Sequence, residues 1–393
     1  MLYVGIDVAK NKHECFITDS DGVVHADGFG FANTREGFDG LIAEIRKAQP
    51  YPDGSNTRIG LEATGHYSAN LLRFLCEKKL NPILLNPMSA NSYRKAMTLR
   101  KTKTDKTDAR LIATMLFSED LKPYSPKEYH ISELKSLTRS RFRLVGERSK
   151  LKTRLVRILD VVFPELASAV WTPHQKSMLA MLEEFPSAKA VGEAHLTRLA
   201  SLLSQASHGK YGKEKAVQIR DLARKSIGSP SPAAAFELRR TIRHIRFLQS
   251  EIEAATSEIR RVMDEIGSPP CSVPGVSYVL AATILAEVGD VRLFESPSKL
   301  LAFAGLEPST YQSGQYSASH VRMVKRGSKY LRWALLTAAR LVCMRDKTFK
   351  DFHAKKKSEG KHHYVALSHA ARKLVRVLCR LLRTGEAFAA RTV

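Results

Sequence analysis

Four carboxylates in the first third of the chain, Asp7, Glu62, Asp105 and Asp108, have the type and setting that divalent-metal chemistry requires. Asp7 ends the apolar run Leu2-Tyr3-Val4-Gly5-Ile6, and a second apolar run, Cys15-Phe16-Ile17, follows shortly after. Glu62 ends another such run, Arg58-Ile59-Gly60-Leu61. Asp105 and Asp108 open a helical pattern in which their spacing puts both on one face. A metal site acting on phosphodiesters needs hard oxygen ligands that converge from separate elements. Each acid alone has a plainer reading, because strand ends and first helical turns are ordinary capping and dipole-favoured places for carboxylates. Thr104 or Thr107 could equally cap the same helix. The set, rather than any member, points to metal-dependent phosphodiester chemistry.

The elements that must position these acids are legible as alternating strands and helices. Strands are expected near 2–8, 13–19, 23–30, 57–62 and 82–86, and helices near 35–48, 66–79 and 106–118. Residues 1–125 therefore read as an α/β domain with a mixed sheet. The placing of the acids resembles that of a ribonuclease-H-like fold.

Pro123 and Pro126 then punctuate the chain, and residues 126–268 read as a helical coiled-coil region. Leu134, Leu137, Leu144, Leu151, Leu155 and Ile158 keep a near-heptad spacing, with Arg141 and Arg148 in seam positions. Ile245, Leu248, Ile252, Ala255, Ile259, Val262 and Ile266 form a second stripe within 234–266. The stripes can pair within one chain or across a dimer, since either arrangement buries the same residues. Between them, about 165–230 reads as a small helical insert broken by Pro173, Pro186, Gly209 and Gly212, with no legible chemistry.

Residues 269–393 read as a mostly helical, basic C-terminal domain. Ser272-Val273-Pro274-Gly275-Val276-Ser277 before the apolar run Tyr278–Leu285 has the form of a helix-hairpin-helix element. Such a hairpin sets backbone N–H groups against a phosphate. Ser277 stands where the second glycine is usual, which leaves plain helix packing as the alternative. The polar segment Ser309–Ser317 reads as a loop, and residue type alone does not make its Ser313 catalytic.

The 393 residues, 44% of them hydrophobic, can bury a substantial core, which excludes a disordered chain. The net charge of +24 points to a polyanionic partner, nucleic acid above all. Residues 321–393 hold 19 Lys and Arg against 4 Asp and Glu, so +15 of that charge lies in the last fifth. Neither a membrane span nor a signal peptide is expected, and the protein is placed in the cytoplasm. Cys15, Cys76, Cys271, Cys343 and Cys379 are scattered and read as free thiols. No pair has zinc-ligand spacing, and His362-His363 sits in a lysine-rich loop, so no structural zinc is expected.

At both ends the chain resembles the DEDD transposases of the bacterial insertion-sequence family numbered 110, whose first domain is similar to the RuvC junction resolvase. In the first domain the matching pieces are Gly5-Ile6-Asp7-Val8-Ala9-Lys10, Leu61-Glu62-Ala63-Thr64-Gly65-His66-Tyr67, Leu85-Asn86-Pro87 and Lys103-Thr104-Asp105-Lys106-Thr107-Asp108-Ala109-Arg110. In the last they are Val273-Pro274-Gly275-Val276, Phe303-Ala304-Gly305-Leu306-Glu307-Pro308, Gln312-Ser313-Gly314 and Lys325-Arg326-Gly327-Ser328-Lys329-Tyr330-Leu331-Arg332.

The resemblance implies that Asp7, Glu62, Asp105 and Asp108 are a metal-holding DEDD tetrad, with magnesium or manganese as the ion, and that Ser313 is a nucleophile. It further implies strand cleavage and exchange through a phosphoserine intermediate, donor and target DNA as partners, a bridge RNA as guide, and a homodimer or tetramer. No organic cofactor is expected. Two alternatives stay open: a site-specific invertase on the same plan, and a RuvC-like junction endonuclease that needs only the acids.

Overall fold

The structure, a computed structural model, describes all residues except 63–66, 98–103, 119–120, 122, 125–128, 267–268, 310–311, 314–315, 318–322 and 390–393. The chain divides into two compact units, Met1–Lys127 and Glu128–Val393. The first is α/β and the second is mostly helical.

In the first unit, β1 (Leu2–Asp7), β2 (Lys12–Asp19) and β3 (Val24–Ala32) form an antiparallel meander. After α1 (Arg35–Ala48), β4 (Thr57–Glu62) joins β1 in parallel. After α2 (Ser68–Glu77), β5 (Ile83–Leu85) joins β4 in the same sense. The resulting mixed sheet has the order β3-β2-β1-β4-β5. α3 (Pro87–Met97) and α4 (Asp105–Ser118) follow.

β1 is apolar up to its terminal Asp7 because both of its faces are covered. Val4 and Ile6, with Ile59 and Leu61, share a core with Leu41 and Ile45 of α1 and Leu71 and Leu75 of α2. Tyr3 faces the other way, into a cluster with Ile112, Met115 and Leu116 of α4. Among the described residues of this unit, α3 is the helix that the sequence pattern does not announce. Its apolar periodicity is weak, but Pro87 at the first helical position marks its start.

The second unit is organised by two long helices, α5 (Tyr129–Val162) and, after a set of shorter ones, α11 (Pro232–Ile266). The shorter helices are α6 (Leu166–Ala169), α7 (Lys176–Glu184), α8 (Ala188–Glu193), α9 (Leu196–Ala206) and α10 (Lys213–Arg224). α5 and α11 pair within one chain and run antiparallel. His130 meets Glu265, Arg141 Nε donates to Thr256 Oγ1 at 2.8 Å, and Arg154 Nε reaches Glu237 at 2.7 Å.

Each end of this pair enters a different apolar core. Leu155, Ile158, Leu159 and Val162 pack with Leu238, Ile242 and Ile245 and with the short helices. At the other end, Leu134 packs with Ile259, Val262 and Met263 and with the C-terminal helices. Between Thr138 and Leu155 no residue of α5 is fully buried. There Arg141 and Arg148 occupy the seam, and Arg148 Nη1 donates to Gln249.

A 3-10 turn (Pro269–Ser272) leads to α12 (Tyr278–Val288), and a second (Val291–Leu293) leads to α13 (Pro297–Phe303). A short ribbon, β6 (Gln312–Ser313) and β7 (Tyr316–Ser317), comes before α14 (Lys329–Arg345), α15 (Lys347–Ser358) and α16 (His363–Thr384). Ser277 caps α12, its side chain accepting from Leu280 N–H. Gly275, at φ +92°, lies so close to the Leu341 and Val342 backbone that a Cβ would fall 2.8 Å from the Leu341 carbonyl carbon. Glycine and serine here thus have packing and capping roles. Among the described residues, no helix is long and apolar enough to cross a membrane.

Candidate active site

Asp7 and Glu62 are the last residues of β1 and β4, which are neighbours in a register that pairs Ile6 with Leu61. Both acids therefore leave the same end of the sheet on the same face. That face is the one α4 covers. Gly5 and Gly60, each two residues before an acid, are its points of closest approach. A Cβ on Gly5 would lie 2.1 Å from the Ala109 carbonyl oxygen and 2.5 Å from Ala113 N. One on Gly60 would lie 2.9 Å from the Leu116 side chain. Tyr3 meets Phe117 edge-on, with ring centroids 5.4 Å apart. α4 thus runs opposite to β1, Phe117 over its beginning and Ala109 over Gly5, and its first turn is aimed at the acid-bearing end.

Local chemistry fixes that first turn. Thr104 Oγ1 accepts from Thr107 N–H at 3.2 Å, while Thr107 Oγ1 accepts from Thr104 N–H at 3.0 Å. This is a reciprocal capping arrangement with threonine in both places. Lys106 Nζ and Arg110 Nη2 each reach Asp27 of β3 at 2.9 Å, and Arg110 lies over the Phe16 ring. The Lys106 hydrogen bond, then Arg110, holds the Asp27 carboxyl below its ordinary range. Asp105 is exposed at the tip of the turn. Asp108 is buried, and Arg94 of α3 reaches its Oδ1 at 2.8 Å.

Two carboxylates at adjacent strand ends and two in the first turn of the helix that covers that face have the hard-oxygen chemistry that a divalent cation requires. Among the described residues, however, no three His, Cys, Asp or Glu side chains are gathered closely enough to hold a metal. The fold supplies the placement of the donors rather than a closed coordination sphere. Residue type and spacing single out the four acids but not Arg94 or the two glycines. The sequence signal for the glycines is small residues inside otherwise bulky strands, which marks close backbone approach.

Ser313 lies in β6, opposite Tyr316 of β7, so the segment expected as a loop carries a two-stranded ribbon. Its side chain is outside the described residues. The segments that flank this ribbon pair with each other. Pro308 bridges to Met323, Val324 N–H donates to Glu307 at 2.9 Å, and Lys325 N–H donates to Gly305 at 3.2 Å. Arg332 Nη1 donates to the Ala304 and Lys325 carbonyls at 3.2 and 3.1 Å.

Residues 4–164 match an IS110-type DEDD family model described as a transposase, and residues 271–354 match that of the IS116/IS110/IS902 transposase family. The first segment holds all four acids and the second holds Ser313. The chain belongs to the IS110-type transposases.

Several relatives align with this transposase over nearly its whole length. The 44.8 kDa protein of insertion element IS116 from Streptomyces clavuligerus is 27% identical over 98% of this chain and 96% of its own. The 42 kDa protein of IS900 from Mycobacterium paratuberculosis is 26% identical over 97% and 96%. The pilin gene-inverting protein of Moraxella lacunata is 23% identical over 98% and 97%. The transposase is accordingly an enzyme that acts on DNA, and its family points to a divalent metal.

Proposed function

We propose that this transposase cuts and rejoins DNA strands through a covalent serine intermediate. What supports the reading is that Asp7 and Glu62 end adjacent strands beneath α4, whose threonine-capped first turn is directed at that end of the sheet. Asp7, Glu62, Asp105 and Asp108 would hold magnesium or manganese, which when bound polarises the scissile phosphate. The first unit is then RuvC-like in role as well as in its acids.

The Ser313 hydroxyl attacks phosphorus and gives up its proton. The P–O bond to the 3′ oxygen breaks, and that oxygen leaves as a 3′-hydroxyl. The phosphodiester is conserved as a serine ester until an incoming 3′-hydroxyl displaces the serine and restores it. Without the serine, the acids alone would deliver hydrolysis. Donor and target DNA are the substrates, a bridge RNA selects them, the working form is a homodimer or tetramer, and the compartment is the cytoplasm. A second reading, site-specific inversion, is favoured by the pilin gene-inverting relative that aligns along the whole chain.

The test is a denaturing-gel search for a covalent protein–DNA adduct in magnesium, with the element's flanking DNA and its transcript supplied. Wild type should form the adduct, Ser313→Ala should not, and Asp7→Asn should lose all cleavage while binding nucleic acid nearly as before. Nicking in Ser313→Ala with no adduct in either protein would establish a hydrolytic nuclease instead. Undiminished cleavage by Asp7→Asn would overturn the metal assignment.

A further inference from the structure

α12 is an apolar helix whose residues Leu280–Val288 are all buried, and one of them is Glu287, 2% exposed. Its carboxylate takes a two-pronged contact from Arg139 of α5, Nε to Oε1 at 2.7 Å and Nη2 to Oε2 at 2.9 Å. Ser328 Oγ donates to the same Oε2 at 2.7 Å and also accepts from Leu331 N–H at 3.1 Å, capping α14. Burial works to raise the Glu287 pKa, but Arg139 and Ser328 outweigh it and hold the group below its ordinary range, hence charged. Arg139 is itself pinned over the Tyr330 ring at 4.8 Å.

A buried ion pair is weak support for stability, because well-packed apolar side chains of similar volume commonly do as well. What the pair does provide is direction. Ser328 is the residue at which the returning foot of the Ser313 hairpin becomes α14. Ser328 N–H donates to the Phe303 carbonyl at 3.1 Å, and Gly327 passes so close that a Cβ there would lie 1.9 Å from the same oxygen. Both feet, 303–308 and 323–328, are thereby indexed to one buried carboxylate.

We propose that Glu287, held by Arg139 and acting through Ser328, is a positioning residue that sets the Ser313 hairpin for attack on phosphorus. The proposal rests on reading Ser313 as the nucleophile. It predicts an effect on the chemical step rather than on nucleic-acid affinity, because Glu287 is buried and Arg139 and Ser328 are bound to it.

The experiment uses the full chain with the element's flanking DNA, its transcript and magnesium, and measures adduct formation in single turnover at saturating DNA, together with DNA affinity and the thermal midpoint. Glu287→Gln keeps the α14 cap while removing the charge, Ser328→Ala removes the hydroxyl, and Ser328→Thr restores one. Adduct formation should slow about tenfold or more in Glu287→Gln and Ser328→Ala, with DNA affinity held within about twofold, and Ser328→Thr should recover most of the rate. Wild-type adduct rates in both Glu287→Gln and Ser328→Ala, with Ser313→Ala giving none, would overturn this proposal alone. So would rate losses that track affinity or melting, with no recovery in Ser328→Thr. An adduct that persists in Ser313→Ala would overturn the serine reading and this proposal with it.

Discussion

Thr104 and Thr107 satisfy each other's backbone donors, so the cap of α4 is a threonine pair and not Asp105. The threonine pair thus identifies which side chains close the helix start, through a contact that residue types alone leave ambiguous. His13 shows the reverse, a polar group whose role is structural. It is fully buried, its ring is 5.1 Å from that of Phe31, and its Nδ1 accepts from Ala9 N–H at 3.3 Å. Burial lowers its pKa, outweighing the opposing hydrogen bond with Asn33. The folded state therefore binds fewer protons than the unfolded state once pH falls below the unfolded value of about 6.5. Stability is intact above that pH and declines below it. Thermal melts from pH 7.5 to 5.5 should fall more steeply for wild type than for His13→Gln, and parallel curves would show that His13 does not set the slope.

At the scale of elements, α4 is the part on which the site depends, and its seat is made by absence of side chain. Gly5→Ala would set a Cβ against the Ala109 carbonyl and Ala113 N. The helix must then shift, and overpacking of this kind costs about 1–3 kcal/mol. Because the shift moves Asp105 and Asp108 off the strand-end acids, cleavage should fall further than stability does. Denaturation midpoints and cleavage rates on the same variant check this, and full activity in a destabilised protein would refute it. The strands and the acids at their ends are readable in the sequence because apolar runs bounded by a carboxylate are a local signal. α3, with the Arg94 that reaches Asp108, is not, since its apolar positions are too sparse to show a face. The pairing of α5 with α11 is readable as a stripe but not as a partner choice. A stripe looks the same whether a second segment or a second copy covers it. Arg141–Thr256 and Arg154–Glu237 are the contacts that decide it.

For the whole molecule, charge is the property that reaches furthest. Much of it ends up on α15 and α16, where Lys355 and Lys357 in the last turn of α15 are exposed. Nucleic-acid affinity should fall steeply with salt. Replacing Lys350, Lys355 and Lys357 by alanine should flatten the plot of log affinity against log salt by roughly 0.7–0.9 for each phosphate that is no longer neutralised. An unchanged slope would place the phosphate-binding surface elsewhere.

The long helix pair is held in apolar cores at its two ends, and between them α5 is only half-covered, with Arg141 and Arg148 at the seam and Ile252 of α11 buried opposite. Opening free energies follow local packing, so backbone amide exchange along α5 should be slow near Leu134 and Leu155 and fastest around Leu144. The middle of α5 is thus joined to α11 chiefly by polar contacts, Arg141 to Thr256 and Arg148 to Gln249, a seam that exchange would read as the pair's weakest link.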